Sequence, residues 1–418
     1  MQTKINPAST QERAEILDVI RGIAIFGILF DNILAFSGYV FWSQENRMSL
    51  SSYPLDSILT FLEIFLINGK FYTQFSLLFG IGFSIILEKN QSRGISPLPI
   101  FYRRLGILFL LGWVHLRFIW EGDILLLYAL LGFFLPLFRN VPSQSLLYVA
   151  GFLILSPILV DGIKILTGFQ PGQIFWESAI AEDRKNGVPL DDSYAEYLFT
   201  TGAGWTEWRN WMESGWLYRI QYLLETNRIP KVFGCFLIGL WVGRTQLFKN
   251  LELHHSLLRK VRFWGYFLGI PFSLATAYLS FHGPKFPQPL GILETVSYAL
   301  GVVPLGLAYA ATLALLWKSS KWKSILIHFA PVGRMALSNY LFQSLMGIGI
   351  FYGVGLGLGL KFGPSIFFPM AILLFSAQMI LSKIWLQRYN FGPMEWFWRI
   401  GTYRKWIPLK KQTPAKAP

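Results

Sequence analysis

The sequence predicts an all-α protein: a polytopic transmembrane helical bundle of about ten spans, with an external amphipathic helical cap and a cytoplasmic basic tail. Three observations carry that expectation. The 418 residues are 53% hydrophobic and only 14% charged, whereas a soluble domain carries roughly 25% charged residues. Mean hydropathy is +0.43. Apolar stretches of the roughly 20 residues that a helix needs to cross a bilayer recur from end to end.

Taken in order, the expected spans are 16–39, 55–87, 103–120, 124–138, 145–166, 232–247, 263–281, 290–317, 325–358 and 366–386. The opening residues have acids just before the apolar run and no small-residue cleavage site, so no removable signal peptide is read there. An even number of crossings puts both termini on one side. Lys89, Arg93, Arg103 and Arg104 flank one short connection, Lys249, Arg259, Lys260 and Arg262 a second, and Lys318, Lys321 and Lys323 a third. The opposite connections are poorer in Lys and Arg, so the positive-inside rule makes both termini cytoplasmic. Loop bias of this kind also accounts for the formal charge of +14 without nucleic acid. Residues 1–390 read as one helical membrane domain and 391–418 as its amphipathic tail.

The connection at 167–231 is different. It mixes Glu177, Glu182, Asp183, Arg184, Asp191 and Asp192 with Trp205, Trp208, Trp211 and Trp216, and Trp is favoured where membrane meets water. It is expected to lie on the outer surface as a helical cap. The sole cysteine, Cys235, sits in an apolar run, so no intramolecular disulfide forms, and no Cys/His spacing suits a metal.

Polar residues inside spans are costly and mark candidate sites. Arg21 and Asn32 are eleven residues apart in the first span, and Arg104 and His115 repeat that spacing in the third. Eleven residues return nearly to the same helix azimuth about 16 Å further along. If the two spans pack side by side, Asn32 meets His115 and Arg21 meets Arg104. His115 is read either as a general base or as a neutral ring bonded to a neighbouring helix. Glu121 and Asp123 follow in the turn WEGD, and spacing alone does not decide which of them would orient the imidazole. Arg103 and Arg104 either grip phosphates or only set topology. Asp18 precedes Arg21 by three and is positioned to pair with it. Arg334, Asn339 and Gln343 share the segment GRMALSNYLFQS, where amides commonly join helices.

The strings LDVIRGIAIFGILFDNI, GKFYTQFSLLFGIGFS, YRRLGILFLLGWVHLRFIWEGDILLLYALLG, GRMALSNYLFQS and NFGPMEWFWR, in this order, resemble the YeiB family of bacterial membrane proteins, domain of unknown function 418. The first span also resembles the opening span of the transmembrane acyltransferase superfamily, in which D-x-x-R precedes a polar residue fourteen after the aspartate. Asp18, Arg21 and Asn32 fit that pattern. The resemblance implies acyl transfer from cytoplasmic acyl-CoA to a hydroxyl or amine across the membrane, with no tightly bound cofactor. Where many superfamily members have histidine this chain has Asn32, so the base would be His115, oriented by Asp123. Asn32 would hold the acyl oxygen, and Arg104, Arg103 and Arg21 the nucleotide phosphates. Cys235 has no basic neighbour in sequence to activate it as an acyl carrier. A proton-coupled transporter or lipid flippase would use the same polar residues. Lipids, acyl-CoA and an acceptor are the expected partners, with a homodimer compatible. Glu395, among Trp396, Trp398 and Arg399, lies where the tail would either cover the donor's way in or simply anchor to headgroups.

Overall fold

The computed structural model describes residues 15–411 except 93, 192 and 201. Arg93 and Asp192, named above, and the opening fourteen residues lie outside the described residues. Eighteen α-helices follow in order: α1 (Glu15–Phe36), α2 (Gln44–Met48), α3 (Tyr53–Leu66), α4 (Lys70–Gln91), α5 (Leu98–Phe118), α6 (Leu125–Phe134), α7 (Ser143–Thr167), α8 (Gln173–Asn186), α9 (Tyr194–Phe199), α10 (Trp205–Glu225), α11 (Arg228–Arg244), α12 (His255–His282), α13 (Ile292–Leu316), α14 (Ser320–Leu326), α15 (Ala330–Arg334), α16 (Ala336–Phe351), α17 (Pro364–Arg388) and α18 (Pro393–Tyr403). Among the described residues the β-type pairing is an isolated bridge between Tyr389 and Lys410.

Among the described residues, five segments are long and apolar enough to cross a membrane: α1, the α3–α4 pair, α7, α13 with its leading turn, and α17. Their outer faces carry large apolar side chains; Phe152 is 62% and Leu373 71% exposed. Water would not tolerate such a surface, and lipid does. The protein is a membrane protein.

α1 is the central post. It contains no proline, carries Glu15 and Asp18 at its positive N-terminal end, and packs against α4, α15, α16 and α17. Lipid tails are as apolar as leucine, so close packing and polar bonds, more than hydrophobic burial, must hold such helices together. At the α1–α15 crossing a methyl group on Gly333 would fall 1.8 Å from the Asp18 carbonyl oxygen, so the backbones meet directly. Between α16 and α17, Asn339 Nδ2 donates to Ser382 Oγ at 3.1 Å, Gln343 Nε2 to Gln378 Oε1 at 2.9 Å, and Gln378 Nε2 to the Asn339 carbonyl at 3.1 Å. These amides join helices.

Two expected spans are broken. Residues 55–87 turn between α3 and α4 at Gly69, whose φ of +82° suits glycine. The fully buried Lys70 just beyond gives its ammonium to the Ile64 carbonyl at 2.7 Å, whereas Asp56 accepts from Ser52 and the Ser365 amide. Residues 325–358 divide into α14, α15 and α16. Pro331 in the first turn of α15 removes a backbone donor there, and Met335 interrupts the helix between α15 and α16.

Helices α8, α9 and α10 gather over the C-terminal ends of α1, α5 and α16. Arg117 of α5 donates to the Met212 carbonyl at 2.9 Å and pairs with Glu213, and the Gly353 amide after α16 donates to the Leu198 carbonyl at 2.9 Å. At the other end α18 lies across the N-terminal halves of α5 and α16. Trp398 Nε1 donates to the Arg104 carbonyl at 2.9 Å, and the Arg104 guanidinium stacks 4.1 Å over the Trp398 ring. Glu395 Oε1 accepts from the Leu337 and Ser338 amides at 2.7 and 3.1 Å, capping the exposed donors at the start of α16.

Candidate functional site

One large cavity of about 870 Å³ runs inside the bundle from beneath α18 to beneath α8–α10. Pockets for small molecules and cofactors are typically about 300–1,000 Å³. Its wall is largely apolar, with charged residues confined to two regions.

At the α18 end it is lined by Arg21, Arg104, Arg334 and Arg399, together with Glu395 and Trp398. α1 and α5 deliver the first two because both helices start there. Arg21 Nη1 donates to Asp18 Oδ1 at 2.7 Å, as the i, i+3 spacing predicts, and reaches toward the Gly333 carbonyl at 3.5 Å. Arg334 follows Gly333 directly. Arg399 rests 4.5 Å over the Phe391 ring. Arg103 belongs to α5 but not to the lining; its Nε donates to the Pro99 carbonyl at 3.1 Å.

Deeper in, Asp31 and Asn32 line the wall from the last turns of α1, facing Tyr72, Glu121, Arg219, Tyr222, Arg228 and Tyr340. Asp31 Oδ1 accepts from Asn68 Nδ2 at 2.9 Å. Among the described residues, Glu121 Oε2 and the Tyr340 hydroxyl are buried without a hydrogen-bond partner. Buried polar groups are seldom left so.

His115 is not on this wall. It is wholly buried behind Trp120 and Tyr340, whose rings lie 6.2 and 5.3 Å from its own. Its Nδ1 is 2.8 Å from Asp123 Oδ2 and its Nε2 2.9 Å from Ser344 Oγ. With the Nδ1 proton donated to the carboxylate, Nε2 accepts from the serine hydroxyl, and both nitrogens are occupied. Asp123 is therefore the acid that contacts the imidazole. Its other oxygen accepts the Leu126 amide at 2.7 Å, pinning the WEGD turn to the start of α6. Glu121 is left facing the cavity. Asn32 and Arg104, by contrast, line the same cavity, from α1 and α5 respectively. Asn339 and Gln343 serve the α16–α17 interface described above.

Two site residues escaped the sequence. Arg219 and Arg228 both fall in the stretch 167–231 read as a surface cap, yet the second half of α10 dips into the bundle and α11 begins at Arg228. The usable signal was Arg219 and Tyr222 at i, i+3 on one helical face.

A family model described as "Protein of unknown function (DUF418)" matches residues 242–405. Across 98% of this chain and 99% of its own length, the "Uncharacterized protein YxaH" of Bacillus subtilis (strain 168) is 30% identical. This chain belongs to the DUF418 family. The "Uncharacterized protein YeiB" of Escherichia coli (strain K12) is 29% identical over 96% of this chain and 99% of its own. The "Uncharacterized 39.9 kDa protein in amylase 3'region" of Bacillus acidopullulyticus is 25% identical over 98% and 99%. No solved structure matches. The DUF418 segment includes Arg334, Glu395 and Arg399 of the cavity, whereas Arg21, Asn32, Arg104 and Arg219 lie ahead of it.

Proposed function

We propose that this DUF418 protein is an integral membrane acyltransferase, moving an acyl group from cytoplasmic acyl-CoA to a hydroxyl or amine presented at the outer side of a bacterial inner membrane. In this reading the bundle crosses about ten times, both termini are cytoplasmic, α8–α10 form the external cap and α18 lies on the cytoplasmic face. One observation carries it: a single cavity connects a four-arginine mouth to a polar chamber about 16 Å deeper along α1. A donor with phosphates at one end and a thioester at the other has that polarity.

The phosphates would be held by Arg104, Arg334, Arg399 and Arg21, in bidentate fashion where the fork allows, with Trp398 beside the nucleotide. The thioester would sit at Asn32. The acceptor's hydroxyl or amine would attack the carbonyl carbon while a wall carboxylate, Glu121 or Asp31, takes its proton. The Asn32 amide would donate to the oxyanion. Collapse expels the CoA thiolate, which takes the proton back from the carboxylate. His115 acts through Asp123 and the WEGD turn, so we assign it to positioning Glu121.

Labelled acyl-CoA supplied to the purified protein in liposomes tests this. Asn32→Ala should lower turnover by about 10²–10³-fold, the usual cost of one oxyanion donor, with CoA binding retained. The cavity's extent from one end of the bundle to the other also suits a translocation path. Solute uptake that survives Arg104→Ala, with no acyl product, would favour that second reading.

A further inference from the structure

Among the described residues, six arginines and three carboxylates line the cavity. Four of the arginines stand at the α18 end; Arg219 and Arg228 stand apart, in the chamber that holds Asp31 and Glu121. Both guanidinium groups address one ring, lying 5.5 and 5.1 Å from the centroid of Tyr222, and Arg228 is also 4.7 Å over Tyr72. Among the described residues neither pairs with a carboxylate within ion-pair distance. Arg228 is 8% exposed and gives one bond to protein, from Nη2 to the Tyr222 hydroxyl at 3.0 Å. The Nε of each arginine is buried with no acceptor.

Taking an uncompensated guanidinium out of water costs several kcal/mol, and two in one chamber repel. The tyrosine faces offset part of that cost. The fold nevertheless fixes the pair firmly: the α10–α11 junction is held by Asn227 Nδ2 donating to Asp161 Oδ1 at 2.6 Å and by Lys164 donating to the Glu225 carbonyl at 3.1 Å. Arg228 also opens the 17-residue α11, whose positive end adds to the same field. The groups lacking partners here are of two kinds. The Arg219 and Arg228 guanidinium groups on the chamber wall can only donate, whereas the Glu121 carboxylate on the same wall accepts. A ligand that satisfies both must bring anionic oxygens at one end and a hydroxyl at the other.

We propose that this chamber binds the phosphate ester of a polyol, its phosphate held by Arg219 and Arg228 and its hydroxyl donated to Glu121. This names the acceptor class for the acyl transfer above and rests on that reading for its role, though not for the binding itself. The same chemistry comes from a soluble polyol phosphate or from a phospholipid headgroup such as phosphatidylglycerol.

The test is binding, measured on the full-length protein in phosphatidylcholine nanodiscs. Glycerol 3-phosphate added in solution, or phosphatidylglycerol mixed into the disc, is expected to raise the unfolding temperature saturably. The first result alone assigns a soluble acceptor and the second alone a lipid. Arg219→Gln and Arg228→Gln should each weaken the effect at least tenfold while leaving CoA binding unchanged; Arg104→Gln should do the reverse. Removing an unpaired buried charge should also leave the ligand-free Arg228→Gln protein as stable as the parent or more so. The proposal is overturned if neither probe stabilises the parent protein, if both arginine variants respond like it, or if these variants fail to fold. A parent that binds the polyol phosphate but no CoA species would retain this site and remove the acyl-transfer reading.

Discussion

Replacing His115 by alanine separates a positioning imidazole from a reacting one. The ring is wholly buried and bridges Asp123 on one side and Ser344 on the other, at 2.8 and 2.9 Å. Its removal leaves a void and strips a buried carboxylate oxygen of its donor. Orphaning a buried charged partner costs about 3–5 kcal/mol. Asp123 keeps the Leu126 amide on its second oxygen, which brings the expected loss to about 2–4 kcal/mol. Thermal unfolding in detergent should show a large drop for His115→Ala and a partial recovery for His115→Gln, whose amide can restore one of the two bonds. Turnover per folded molecule should fall severalfold in His115→Ala, as Glu121 loses its support, and recover in part in His115→Gln. A His115→Ala protein that keeps parental stability and acyl-CoA affinity but loses turnover a hundredfold would refute this reasoning, because the imidazole would then be touching the reacting atoms.

Gly333→Ala should damage assembly severely, since the new methyl falls 1.8 Å from the Asp18 carbonyl; yield of monodisperse protein is the measurement, and normal yield would contradict the α1–α15 contact. Glu395→Gln should weaken α18 docking by about 1.5–3 kcal/mol through loss of charge-assisted bonds to the Leu337 and Ser338 amides. Faster hydrogen exchange across α18 would report it. Glu121→Gln should lower turnover with donor binding intact, and an equal loss in Asp31→Asn alone would move the base to α1.

The apolar runs that became α1, α7, α13 and α17 were legible because lipid-length hydrophobicity is a coarse and robust signal. What hydropathy does not register is a three-residue turn inside an apolar run. That is why 55–87 and 325–358 read as single spans, although Gly69 and Pro331 carried the break in plain view. In the site, helical periodicity put Arg21 and Asn32 on one strip of α1, which lines the cavity, and Arg104 on a strip of α5 that reaches it near α18. It put His115 on the same strip, but Trp120 and Tyr340 fill the space between the ring and the cavity, and packing of that kind has no sequence period. Arg219 and Arg228 were hidden for another reason. Their neighbours are tryptophans, tyrosines and mixed charges, the composition of an interfacial helix, and only the tertiary fold tips α10 inward.

A structure determined with a non-transferable acyl-CoA analogue bears most directly on the account. The analogue's phosphates are predicted among Arg21, Arg104, Arg334 and Arg399 beneath α18, with its acyl carbonyl at Asn32. Phosphates seated at the α8–α10 end, or a cavity empty at saturating analogue, would contradict it.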